Sequence, residues 1–169
     1  MRLFLVPHSS TSETGGVPRE VEARRAGRVL SLEYRVTGPI ETVRWPEPAA
    51  RVHTDGLWRT TCFEAFVATP DGYVEVNLSP SGAWAAYGFG GYREGMRALS
   101  IPAPFIVTRS APGRFALTVD VELPVEATGP VGLAAVIEGL DGAIGYWALA
   151  HPSDKPDFHH PDSFVLELP

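Results

Sequence analysis

Cysteine occurs once in this sequence, at Cys62, and methionine only twice. A lone cysteine excludes an intramolecular disulfide. Basic residues are scarce: 14 Lys and Arg stand against 20 Asp and Glu, for a net charge of −6. Nucleic-acid binders draw most of their affinity from neutralising phosphates, so no nucleic-acid partner is expected. The Arg24, Arg25 and Arg28 group is the one basic cluster, and it reads as a solvated loop. An anionic membrane surface is disfavoured on the same grounds. Long apolar runs are missing too. Leu3-Phe4-Leu5-Val6 stops at Pro7, too short for a signal-peptide core, and no small-residue cleavage site follows. No other run approaches a membrane span. A soluble protein of the cytoplasm, with no membrane partner, is the expectation.

Amphipathic helical periodicity is also lacking. What is present is turn chemistry: 17 Gly and 16 Pro, spread along 169 residues. Such spacing suits many short strands joined by tight turns. The length suits one domain, residues 1–169, able to bury a core without metals or disulfides. A first short strand precedes a polar loop from His8 to Pro18. Alternation predicts strands at Arg28 to Thr37, Ile40 to Trp45, Thr60 to Ala68, Tyr73 to Ser79 and Ala83 to Phe89. Gly88 to Ala103 reads as a long loop. Hairpins are expected at Phe105 to Arg109 with Arg114 to Glu122, and at Val131 to Gly139 with Ala143 to Ala150. Ser163 to Leu168 would close the fold. About ten strands predict an all-β, antiparallel β-sandwich of jelly-roll or Ig-like type.

Two turns set a testable register. If Thr69–Gly72 is a four-residue turn, Val67 faces Val74, Ala65 faces Val76 and Phe63 faces Leu78, an apolar face. A like turn at Ser79–Gly82 would put Val76 opposite Ala85 and Val74 opposite Tyr87 on that same face. The other face would then carry a row of Glu64, Asn77 and Trp84. An indole offers a flat surface to a pyranose, and a carboxylate and an amide bond its hydroxyls. An ordinary solvated sheet face is the competing reading. Glu64 and Glu75 would share that face, so glycoside hydrolysis is a further option. Cys62, mid-strand, reads as a small buried residue.

The segment 151–162 is the densest in ionisable groups. His151, Asp157, His159, His160 and Asp162 suit a metal by ligand type, but their spacing matches no standard zinc motif. A ligand-lining loop, with His151, Lys155, His159 and His160 donating hydrogen bonds, and a proline-held structural loop are the other readings. No cofactor is identifiable, and the oligomeric state is not set.

The segments LWRTTCFEAF (57–66), VEVNLSPSGAWAAY (74–87), GYR (91–93), YWALAHP (146–152) and KPDFHHPD (155–162) resemble bacterial DOMON-like proteins. That group is distantly similar to family 9 carbohydrate-binding modules. The resemblance implies a β-sandwich that binds sugar or haem rather than a catalyst. Family 9 modules clamp a terminal sugar between two tryptophans, with a glutamate shortly after the first; Trp58 followed by Glu64 fits. By the resemblance the second clamp is Trp147, and by strand register it is Trp84. Haem binding would draw on His151, His159 or His160. Together these readings give a noncatalytic domain for a sugar or other small-molecule ligand. Its site would comprise Trp58, Glu64, Asn77, Trp84, Arg93, Trp147, His151, Lys155, His159 and His160. A small enzyme acting on a glycan or metabolite, and a haem- or metal-binding domain, are the alternatives.

Overall fold

The computed structural model describes residues 1–12 and 17–169. Residues 13–16 of the expected His8–Pro18 loop lie outside the described residues. The chain forms two antiparallel sheets packed as a sandwich. The strands are β1 (Arg2–Phe4), β2 (Val6–Pro7), β3 (Val17–Ala26), β4 (Val29–Thr37), β5 (Cys62–Thr69) and β6 (Gly72–Leu78). They continue with β7 (Trp84–Phe89), β8 (Arg97–Ala98), β9 (Val107–Ala111), β10 (Arg114–Glu122), β11 (Val131–Glu138) and β12 (Ile144–Ala148). One sheet has the order β1-β3-β4-β10-β9 and the other β2-β12-β11-β5-β6-β7-β8. No helix among the described residues is long and apolar enough to cross a membrane.

Alternation decides what lies between the sheets. Leu30, Leu32, Tyr34 and Val36 of β4 meet Phe63, Ala65 and Val67 of β5 and Val74, Val76 and Leu78 of β6 in one core. Cross-strand neighbours share a face, so each of these strands commits every second residue to that interior. The Tyr34 hydroxyl, fully buried, spans the sandwich and donates to the Glu64 carbonyl at 2.7 Å.

The β5–β6 register is the expected one: Phe63 faces Leu78, Ala65 faces Val76 and Val67 faces Val74. The β6–β7 register differs by one residue. Leu78 pairs with Trp84, Val76 with Ala86 and Val74 with Gly88. The cause lies in the turn. The Gly82 N–H donates to the Ser79 carbonyl, Gly82 takes a left-handed φ of 95°, and Ser79 N–H then reaches the Ala83 carbonyl. This is a type I turn followed by a glycine bulge, which adds Ala83 to the loop. Trp84 therefore shares its side with Leu78. Ala85 and Tyr87 join Asn77 and Glu75 on the other side.

Other differences have equally local causes. Arg24 and Arg25 lie on β3, not in a loop. That strand carries few apolar residues, and Glu20 is buried on it through ion pairs to Arg2 and Arg35. The expected Ile40–Trp45 strand is a 3-10 turn, Ile40–Thr42, followed by a single bridge from Val43 to Gly139. Trp45 folds back there, donating to the Ile40 carbonyl and stacking on Phe115 at 4.0 Å. The Ser163–Leu168 strand is replaced by a 3-10 turn, Pro161–Ser163, and one bridge between Leu166 and Val131. The long loop after β7 carries the short β8. Cys62 is fully buried.

Candidate functional site

The seven-stranded sheet is covered on its outer side as well. Phe66, Tyr73, Ala85, Tyr87, Phe89, Ala134, Val136, Ala148 and Phe158 form a second buried cluster. Strand pairing explains why this cover leaves a hollow. A row across five strands reads Ala148, Ala134, Glu64, Asn77 and Ala85. Three of these residues are alanines, so Glu64 and Asn77 stand among side chains too short to fill the space above the sheet. Glu64 is diagonal to Glu75, which pairs with Phe66 and Tyr87.

Above this row lies a cavity of about 610 Å³. Its floor holds Glu64 and Glu75. Trp58 and Arg59 line one side from a 3-10 turn, Leu57–Arg59, which starts at left-handed Gly56. Phe89, Arg93 and Met96 line it from β7 and the following loop, and Val136, Ile144 and Tyr146 from β11 and β12. Pro156, Phe158 and His159 of the C-terminal segment complete the wall. Trp58 is partly exposed and meets Tyr87 edge to face at 6.1 Å.

A clasp joins the two loops. Arg93 donates to Asp157 Oδ1 at 2.7 Å, and the Tyr92 hydroxyl donates to Asp157 Oδ2. Burial opposes ionisation of Asp157, but the bonds from Tyr92 and Arg93 outweigh it and hold the carboxyl below its ordinary range. Arg93 adopts a φ of 56°, the one non-glycine residue in the left-handed region among those described. Its backbone N–H donates to the Tyr73 hydroxyl at 3.2 Å. That hydroxyl also lies 2.7 Å from His159 Nδ1. With one acceptor role already filled, the Tyr73 proton is best used toward Nδ1, leaving the His159 proton on Nε2.

The two floor carboxyls are protonated more readily than free ones. Burial, then the nearby Glu75, pushes Glu64 well above the carboxylate range, against an opposing pull from Arg93. Glu64 is 3% exposed, and its Oε1 has no hydrogen-bond partner. Burial lifts Glu75 to about 7, although Asn77 Nδ2 donates to its Oε1 at 3.0 Å. Burial and repulsion by Arg93 lower His159 to about 4. Its Nε2 stands 3.8 Å from Glu75 Oε2, so this contact joins a neutral imidazole to a carboxyl that burial makes harder to ionise.

Of the residues singled out by sequence, Trp58, Glu64, Arg93 and His159 converge on the cavity. Asn77 is fully buried and acts on the floor through Glu75. Trp84 does not line the cavity, because the bulge turns it to the Leu78 side, where it meets His53 edge to face at 5.3 Å. Trp147 pairs with Ala135 and lies in the core between the sheets. His151 hydrogen-bonds the Val6 carbonyl at 2.9 Å, and burial lowers its pKa. His160 Nδ1 accepts from the Asp162 N–H and caps the last 3-10 turn. Lys155 is exposed. No group of three or more His, Cys, Asp or Glu side chains among the described residues is placed to hold a metal ion. Phe89, Tyr146 and Phe158 were not among the expected site residues, and Glu75 was named only for the glycoside-hydrolysis option. For Glu75 the signal was available, since it shares a face with Glu64; Phe158 reaches the cavity only by tertiary folding.

A family 9 carbohydrate-binding module from Caldicellulosiruptor kristjanssonii, solved in complex with cellotriose, is similar in structure. The match covers 95% of this chain and 79% of that chain, with a TM-score of 0.51 and 7% sequence identity. At that identity the likeness is one of fold, a β-sandwich. No protein-family model matches the sequence, and no curated protein matches it.

Proposed function

We propose that this protein binds carbohydrate, without catalysis, in the cavity on the outer face of the seven-stranded sheet. The observation that carries the reading is the pairing of aromatic walls with an unpartnered, buried carboxyl. Trp58 and Tyr146 offer flat apolar surfaces of the kind a pyranose ring covers. Glu64 lines the cavity with a buried carboxyl whose Oε1 has no partner, a polar group that ligand hydroxyls can bond. The cavity volume, about 610 Å³, falls in the range of small-ligand sites, and it accommodates a mono- or disaccharide. The fold likeness to a module solved with cellotriose supports the reading. In this proposal Trp58 stacks on the sugar, and Glu64 and Arg93 bond hydroxyls. His159 forms the far wall. Kinship with DOMON-like proteins belongs to the same proposal.

Tryptophan fluorescence titrated with a panel of mono- and disaccharides tests it. A saturable change is expected, and Trp58→Ala should weaken it at least tenfold. Flat titrations up to millimolar sugar would overturn the proposal.

One observation favours a second reading, acid–base chemistry on a small glycan. Glu64 and Glu75 are neighbours that both hold protons above the ordinary carboxylate range, as general acids do. Nitrophenyl glycosides discriminate the two readings. Turnover abolished by Glu75→Gln would favour catalysis; sugar binding without turnover favours the binding domain.

A further inference from the structure

Glu64 and Glu75 form an unusual floor for a neutral ligand. They stand on adjacent strands as diagonal neighbours, about 7–8 Å apart at their Cα atoms. Both side chains are buried, and both line the same cavity. Few groups in the protein answer them. Asn77 occupies Glu75 Oε1. Glu75 Oε2 has His159 Nε2 at 3.8 Å, too far for a hydrogen bond. Glu64 Oε1 has no partner and is 3% exposed with its residue. Among the described residues two cations line the cavity: Arg93, which is paired with Asp157 at 2.7 Å, and Arg59, whose guanidinium is exposed. His159 on the wall is held neutral by burial.

We infer that the ligand carries a protonated amino group, an amino sugar whose ammonium sits between Glu64 and Glu75. The inference rests on the carbohydrate reading above and narrows it. An ammonium supplies three donors and a positive charge. Placed between the two carboxyls, it would favour their ionised forms, which a neutral hydroxyl does far less. The aromatic walls add attraction for a cation held over their faces. An N-acetylated sugar loses the charge that the two carboxyls would meet.

Calorimetric titration of the full chain at pH 6 tests this with D-glucosamine, D-glucose, N-acetyl-D-glucosamine and cyclohexylamine. Glucosamine is expected to bind at least about tenfold tighter than the two uncharged sugars, since bonds to charged groups outweigh neutral ones. Its binding should also release protons, seen as a dependence of the heat on buffer ionisation, because the ammonium drives protons off the floor carboxyls. Glu64→Gln should shrink the preference to within about twofold, a change that matches the loss of one charged partner. If that variant does not fold, Glu75→Gln takes its place. Equal affinity for all three sugars, without proton release, overturns the amine inference and leaves the carbohydrate reading standing. Cyclohexylamine binding as tightly as glucosamine supports the amine subsite and overturns the carbohydrate reading. Silence from all four overturns both.

Discussion

Replacing Glu75 by glutamine should stabilise the protein at alkaline pH and leave it unchanged in acid. Folding lifts this carboxyl from 4.5 to about 7, chiefly by burial. Below pH 4.5 it is protonated in the folded and the unfolded chain, and it contributes no difference. As pH rises from there, the unfolded chain ionises first and is favoured. The penalty grows until about pH 7 and is constant above it. At about 1.4 kcal/mol per pH unit, the full penalty is about 3 kcal/mol. Glutamine keeps the shape of the protonated acid, and its oxygen still accepts from Asn77 Nδ2. Removing the charge also relieves Glu64, which acts in the same direction. His159 runs the other way: its lowered pKa makes the wild type gain stability as pH rises from about 4 to its unfolded value. That contribution is common to both proteins, so the difference between them reports Glu75 together with its effect on Glu64. Urea unfolding at pH 4.5, 6, 7 and 8 measures it. Glu75→Gln should match the wild type at pH 4.5 and exceed it by about 3 kcal/mol at pH 8. A difference that does not vary with pH, or a variant weaker than the wild type at pH 8, would refute the account of a proton-holding floor.

Trp147→Ala should cost about 3–5 kcal/mol in urea unfolding, as large-to-small changes do in a core, because this indole lies between the sheets. A loss under about 1 kcal/mol would contradict that placement. Asp157→Asn should weaken the clasp to Arg93 and Tyr92 at a cost of about 1 kcal/mol, since Arg93 is half exposed. Hydrogen exchange should quicken at the Arg93 amide, whose acceptor is the Tyr73 hydroxyl, while amides of β5 and β6 keep their protection. Unchanged exchange at Arg93 would show that the clasp does not hold this loop.

The parts of the fold legible in the sequence are those where turn chemistry and alternation agree. Thr69-Pro-Asp-Gly72 brackets two strands whose apolar residues pair in one register only, and the structure has that register. The next turn differs by one residue. Its glycine falls at a left-handed position that adds a bulge, and composition does not separate a four-residue loop from a five-residue one. That single residue moved Trp84 away from the Glu64 face and brought Tyr87 to it. β3 was hidden because Val21 and Ala23 are its small apolar share, while its buried Glu20 depends on arginines from two other strands. At the site, Glu64 was legible as a polar residue inside an apolar strand. The walls were not. Phe158 and His159 reach the cavity through a C-terminal segment that has almost no ladder bonds and is held by Asp157, whose partners lie 64 and 65 residues away.

Cys62 sits at the start of β5 with no exposed surface, and burial raises its thiol well above the ordinary range. Its sulfur lies near the carbonyls of Phe63 and Leu78, inside the paired β5–β6 strands. Those contacts come from the paired strands, not from a terminus. A thiol reagent therefore reaches it only when the central strands separate, so its alkylation rate clocks the opening of the sandwich as a whole. The one sulfhydryl in the chain serves as a built-in reporter: any ligand that binds the folded state should slow its labelling by the same factor as it shifts the unfolding equilibrium.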